Sequence, residues 1–232
     1  MVMNSSITFL AISISLLGLV IWLPRKINAS RKKTLLLASG KTQIVGEAGK
    51  SLQSKEFRIR EENRRKGLIG EIGVAEDLEA LAFQYGLTVL HDLSMPDSNA
   101  NIDHILISKK VVYVIDAKNY SGIVKIVPNK LGEKRLRVGK TDQTKLADKL
   151  RTYSDAISNY LEREGAKVKV LPLLAFYQAT FHDDSAVTIN GVTVNVFGIE
   201  NELLRYANIK SKEIDVETVA NLILAKFPPK TI

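Results

Sequence analysis

The 232-residue sequence predicts an α/β (α+β) fold: a mixed central sheet flanked by helices, with an N-terminal transmembrane helix in front of it. Three observations lead there. A helix-period stretch from about Arg60 to just before Gly86 is followed by three strand-type runs, Leu87 to Leu90, Ile102 to Ser108 and Val111 to Lys118. A second helical stretch, Asp142 to Glu164, leads into a further buried strand at Val168 to Tyr177. Far upstream, Ile7 to Leu23 is apolar and carries no charge.

The upstream segment, ITFLAISISLLGLVIWL, has Trp22 near its end and stops at Pro24-Arg25-Lys26. It sits at the short end of the length that spans a bilayer, and Met1 to Met3 can lengthen it. No basic residue precedes it and no small-residue cleavage site follows, which argues against a signal peptide. Only Thr8, Ser13 and Ser15 interrupt it, too few for the polar stripe of a core helix. Residues 1–24 are therefore expected to anchor the chain in a membrane. From Pro24 to Lys66 there are thirteen Lys and Arg against four Glu, while residues 67–232 are close to neutral. The basicity belongs to a juxtamembrane linker, residues 25–58, and not to the domain that follows at 59–232. By the positive-inside rule the linker and domain are cytoplasmic on a single-pass protein, and the linker suits anionic lipid headgroups. With no cysteine, disulfides and thiolate metal sites are excluded.

Within the domain, Leu68, Ile69, Ile72, Val74, Ala75, Leu78, Leu81 and Ala82 recur at three- and four-residue steps, with Glu71 among them. His91 to Ala100 reads as a polar loop broken by Pro96. The short Lys109-Lys110 step makes an antiparallel hairpin of the next two strands. A strand at Gly122 to Val127 and a basic stretch precede the second helix, whose Leu146, Leu150, Tyr153, Ile157 and Leu161 share a face. Val187 to Phe197 forms a hairpin turning at Asn190-Gly191, and short helices near Asn201 to Tyr206 and Val216 to Phe227 finish the chain.

The chemistry lies where two strands deliver acids toward one place. In a strand successive side chains alternate, so Asp116 and Lys118 project together, and Asp103 opens the preceding strand. Two carboxylates and one ammonium suit a hard divalent cation and a phosphate: the carboxylates ligate Mg²⁺ and the lysine orients water or offsets developing charge. His91 and His104 are set aside as ligands, because Mg²⁺ prefers oxygen.

Gly67-Leu68-Ile69-Gly70-Glu71, then Ile102-Asp103-His104, then Ile115-Asp116-Ala117-Lys118-Asn119-Tyr120-Ser121-Gly122 resembles the nuclease-related domain (NERD) family, a branch of the PD-(D/E)xK nuclease superfamily, over about residues 62–226. The resemblance implies a restriction-endonuclease-like αβββαβ core around one or two Mg²⁺ ions, with Mn²⁺ as an alternative. It implies Asp103 and Asp116 as metal ligands and Glu71 as a ligand directly or through water. It further implies Lys118 beside the attacking water or the pentacovalent phosphate, and Gln143 supporting the site from the second helix. Two departures are visible: Asp116 stands where the family more often has Glu, and Ile102 where the superfamily has proline.

Nine basic residues against three acidic ones between Lys125 and Arg151 offer a place for a phosphate backbone beside that site. The expected function is a membrane-anchored, Mg²⁺-dependent nuclease-like protein hydrolysing phosphodiester bonds of nucleic acid, DNA ahead of RNA. The alternative is a catalytically inactive, membrane-tethered module that docks nucleic acid or protein, which the near-neutral domain charge favours.

Overall fold

The computed structural model describes residues 41–53, 61–96, 98–181, 187–195, 199–207 and 212–231. The expected anchor at Ile7 to Leu23, and the short element considered at Thr34 to Leu37, lie outside the described residues. Among the described residues no helix is long and apolar enough to cross a membrane.

A short strand β1 (Gln43–Val45) and a one-turn helix α1 (Lys50–Gln53) precede the long helix α2 (Glu61–Tyr85). Three strands follow, β2 (Thr88–Ser94), β3 (Asn101–Ile107) and β4 (Val111–Lys118). Next come β5 (Gly122–Pro128), β6 (Lys134–Val138) and β7 (Thr141–Asp142), then helix α3 (Thr144–Arg163) and strand β8 (Lys169–Phe176). The chain closes with β9 (Ala179–Phe181), β10 (Val187–Ile189), β11 (Val192–Asn195), α4 (Ile199–Ala207) and α5 (Val216–Lys226).

The larger sheet has seven strands in the order β1-β2-β3-β4-β8-β11-β10, and a four-stranded sheet, β7-β6-β5-β9, lies beside it. β2, β3 and β4 are antiparallel, as their short connections require, whereas β4 pairs with β8 in parallel. A parallel pair needs a crossover, and the small sheet together with α3 supplies it. The sheet is therefore mixed, with helices on both faces. Val74, Leu78 and Ala82 of α2 pack on Val89, Leu106, Tyr113 and Ile115. On the other side Leu150, Ile157 and Leu161 of α3 and Val219 and Ile223 of α5 meet Leu90, Ile105, Val114 and Leu174. Each Val, Leu or Ile among them contributes about 1.5–3 kcal/mol on full burial.

Helix α2 carries Gly67, Gly70 and Gly73 in its interior, each costing about 1 kcal/mol of helix propensity relative to alanine. Two of them allow close approach. A Cβ on Gly70 would stand 2.8 Å from Asn119 Cβ, and one on Gly73 would stand 2.1 Å from the Tyr177 ring. Asn119 and Tyr177 directly follow the ends of β4 and β8, so the glycines seat the helix on those strand ends and bring Glu71 with it.

The structure differs from the sequence expectation in three places. Residues 43–53, expected within the linker, are folded: β1 pairs in parallel with β2 through Gln43↔Thr88, Ile44↔Val89 and Val45↔Leu90. Strand β2 runs on to Ser94 through residues expected as a polar loop, because their polar side chains find buried partners. β1 covers the edge of β2 only as far as Leu90, after which Pro228 to Lys230 take over: Ser94 N–H donates to Pro228 O and Lys230 N–H to Asp92 O, both at 2.8 Å. The basic stretch before α3 is the β6–β7 hairpin, with Leu136 and Val138 buried and the charges facing out. The expected hairpin turn at Asn190-Gly191 is present with positive φ at both residues, the type I′ signature.

Candidate functional site

β3 and β4 are paired as far as His104↔Ile115. One step further the ladder would set Asp103 opposite Asp116, and there Asp103 Oδ2 instead accepts the Ala117 N–H at 2.8 Å. A side chain thus stands in for a ladder carbonyl, and the strands part at the place where the acids sit. On the other side of β3, the pairs His91↔His104 and Leu93↔Ile102 bracket Asp92 and Asp103. Three aspartates, Asp92, Asp103 and Asp116, therefore form one row across three adjacent strands.

Lys118 ties this row together. Its Nζ lies 2.7 Å from Asp116 Oδ2 and 3.5 Å from Asp103 Oδ2, and donates to Ala117 O at 2.9 Å. Burial alone would lower its pKa, but the charges of Asp116 and Asp103 outweigh it and raise the pKa. Lys118 is thus held as an ammonium, a donor and a fixed positive charge.

Glu71 reaches the same place from α2. It is buried, and its Oε2 has no hydrogen-bond partner. Burial pushes its carboxyl up to about 9, with the Asp103 charge adding to the shift and Lys118 opposing it. Burial likewise pushes Asp103 up to about 7, against the pull of Lys118 and the Ala117 N–H. One ammonium is not enough to hold every carboxylate ionised in so little water.

Of the five residues expected from the sequence, Glu71, Asp103, Asp116 and Lys118 are brought together. Gln143 takes the N-cap position of α3 without a side-chain cap. Its backbone N–H donates to Leu136 O at 2.8 Å, and among the described residues no hydrogen bond joins its side chain to the other four. Three residues that sequence reasoning passed over complete the surroundings. Asp92 is 1% exposed and sits at φ 49°, a left-handed conformation uncommon outside glycine. Its Oδ1 accepts from Asn101 Nδ2 at 2.9 Å, and its Oδ2 from the Ser51 backbone N–H. Continuing the β2–β3 register past Leu90 would have found Asp92, because it falls opposite Asp103.

The donor set fits a hard divalent cation: it offers carboxylate oxygen alone, and Glu71 Oε2 is a buried acceptor without a partner. Among the described residues, no group of three or more acidic or histidine side chains is placed to hold an ion as the side chains stand, and Lys118 is the cation between them. Residues 66–177 match the family model described as the nuclease-related domain. No curated protein and no solved structure matches the chain.

Proposed function

Since residues 66–177 match the nuclease-related domain family, we propose that the chain is a divalent-metal-dependent, nuclease-like phosphodiester hydrolase, tethered to a membrane by residues 1–24 with its domain in the cytoplasm. The observation that carries the reading is the convergence of Asp103, Asp116 and Lys118 at parted strand ends, with the unpartnered Glu71 Oε2 beside them. In this reading the core is of the restriction-endonuclease-like type.

Asp103, Asp116 and Glu71 would hold the ion, Mg²⁺ or Mn²⁺, which supplies a Lewis acid for the phosphate and lowers the pKa of water. Lys118, kept charged by Asp116, stabilises the negative charge that grows on the phosphate oxygens. It does not serve as a base, because its ammonium is held above its ordinary pKa. In this reading Gln143 would act from the start of α3, outside the hydrogen-bonded cluster.

Nucleic acid is the substrate class that the small sheet favours, and we place DNA before RNA. Val124 of β5 and Leu136 and Val138 of β6 turn inward, leaving Lys125, Arg135 and Arg137 on the other side. Lys125 is directly opposite Arg137, a like-charge pair that a phosphate backbone would neutralise.

The test is cleavage of labelled single- and double-stranded DNA and RNA by the full-length chain in Mg²⁺, Mn²⁺ or EDTA, alongside Asp116→Ala and Lys118→Ala. Metal-dependent cutting that disappears in both variants is the expected result. Binding without cutting in every condition would favour the second reading, an inactive module docking nucleic acid or protein. That reading draws on the Lys118 bridge, which already compensates part of the acidic charge.

A further inference from the structure

Asp103 has both oxygens constrained. Its Oδ2 takes the Ala117 N–H and faces Lys118, while its Oδ1 lies 3.4 Å from Asn101 Nδ2. The same Asn101 amide is 2.9 Å from Asp92 Oδ1 and 3.1 Å from Ser51 Oγ. The amide has two hydrogens for three acceptors: one is taken by Asp92, and the other is shared between Ser51 Oγ and Asp103 Oδ1. The bond to Asp92 is the shortest of the three and decides where the amide points. Asp92 in turn is fixed by the Ser51 N–H and by Lys230, whose N–H donates to its carbonyl.

The turn leading into α1 closes this side of the cluster. Gly49 has φ 71°, and a Cβ there would stand 2.3 Å from Leu68 Cδ1 and 3.7 Å from Glu71 Oε2. Residues 49–51 therefore lie beside both arms of the site: Gly49 faces Glu71 across a space that a side chain would fill, and Ser51 reaches Asp103 through Asp92 and Asn101.

We propose that Asp92 and Asn101 are positioning residues for Asp103, and that through them the Gly49–Ser51 turn is built into the wall of the site. This rests on the metal-dependent reading above. The network acts on a ligand rather than on the reacting atoms: Asn101 aims one carboxylate oxygen, and Asp92 aims Asn101. Partners behind a ligating carboxylate commonly affect metal affinity or activity by about 10–100-fold.

Mn²⁺ binding to the full-length protein, measured calorimetrically without nucleic acid, tests it. Asn101 is half-buried at the start of β3, so Asn101→Ala removes the amide with little demand on the core. Asp92→Asn is the gentlest change at the second position, since asparagine tolerates the left-handed region yet offers one acceptor to two donors. Asn101→Ala is expected to weaken Mn²⁺ binding by about tenfold or more and to lower kcat with it, leaving KM for nucleic acid unchanged. Asp92→Asn should act in the same direction. In an Asp103→Asn background, Asn101→Ala should add nothing.

Mn²⁺ affinity within about twofold of the parent in both variants, with only the melting temperature lowered, would overturn the proposal and leave a merely structural network. So would an equal effect of Asn101→Ala with and without Asp103. The two readings fail differently: a parent that binds no Mn²⁺ removes the metal site and this proposal with it, whereas a parent that loses Mn²⁺ on Asp103→Asn but not on Asn101→Ala removes only the positioning role.

Discussion

Two buried polar pairs stand one residue apart on the same two strands, Asp92 with Asp103 and His91 with His104, and they have solved burial in opposite ways. The histidines are directly opposite each other, Nδ1 to Nδ1 at 2.9 Å. Burial pushes His91 down to about 4 and His104 well below its ordinary value, so both are neutral at physiological pH. One ring must then donate and the other accept. His91 Nε2 lies 3.3 Å from Glu79 Oε1 without making a hydrogen bond; a proton drawn to that nitrogen by the carboxylate would leave His104 as the Nδ1–H donor. The carboxylates have no such exchange to make. Ionised, each only accepts, and Lys118 supplies one positive charge to a group of four acids. The two Nδ1 atoms satisfy each other, each Nε2 is left without a hydrogen bond among the described residues, and the neutral rings stay part of the core; a group of acids that only accept is a place that attracts a cation.

Removing Lys118 should break the comparison most sharply. Lys118→Met is expected to lower cleavage by roughly 10²–10³-fold, the usual scale for losing one preorganised donor at a developing charge. Steady-state rates at saturating metal would show it, and retention of parental rates would remove Lys118 from the chemistry. The histidine pair should respond in stability. His104→Leu strands the His91 nitrogen in the core and should cost about 1–3 kcal/mol by urea denaturation, whereas His91→Leu with His104→Leu removes both partners and should recover part of that loss. A double variant no better than the single would mean that the rings do not depend on each other.

The pairs also predict opposite pH dependences. A histidine lowered to about 4 in the folded state takes up its proton in the unfolded chain first, so its contribution is present above pH 6.5 and is lost as pH falls toward 4. Glu71, raised to about 9, keeps its proton in the folded state longer than in the unfolded chain. Its contribution is present below about 4.5 and is lost as pH rises toward 9, with Asp103, Asp92 and Asp116 reinforcing the shift and Lys118 opposing it. Glu71→Gln should therefore remove a fall in stability that runs from about pH 4.5 to 9, overlapping the histidine's opposite slope up to pH 6.5 and standing alone above it. Denaturation curves from pH 4 to 9 decide this, and an alkaline slope unchanged by Glu71→Gln would mean that the acid is not responsible. Since ligands must shed protons to bind a metal, Mn²⁺ affinity should rise over the same alkaline range.

Asp103, Asp116 and Lys118 were legible in the sequence because they lie in its most regular strands, and Glu71 through the family resemblance. Val111 to Ile115 is a five-residue apolar run, which fixes the strand and hence the shared side of Asp116 and Lys118. Helix α2 was legible for the same reason, and its Gly70 and Gly73 gained their meaning only when Asn119 and Tyr177 were seen against them. What escaped notice were polar residues with distant partners. His91 and Asp92 look like a loop locally; they are strand because His104, Ser51 and Asn101 are there to receive them, 13, 41 and 9 residues away. β1 escaped for a related reason, being three residues long and supported by one neighbouring strand. Hydrophobic periodicity reports burial of apolar groups and carries no signal for a buried polar network.

The acidic cluster repels a phosphate as strongly as it attracts a cation, so a nucleic acid approaching it needs basic charge on either side. The small sheet offers that charge, and Lys125 is its most direct test. Arg137 is partly committed, donating to Lys140 O at 2.7 Å and facing Asp142 across the β6–β7 pair, and Arg135 is held by Glu133. Lys125 is exposed and meets Arg137 with no acid between them. Lys125→Ala should weaken nucleic-acid binding a few-fold at low salt and reduce the slope of log affinity against log salt by about 0.7–0.9, one phosphate contact. Lys125→Glu should do more, because the new carboxylate also engages Arg137. Neither should change Mn²⁺ affinity, as the residue is not among the groups that face Glu71 or Asp103. A salt slope equal to the parent's in both variants would take the nucleic acid off this face, while a fall in Mn²⁺ affinity would show that the sheet and the acids act as one site.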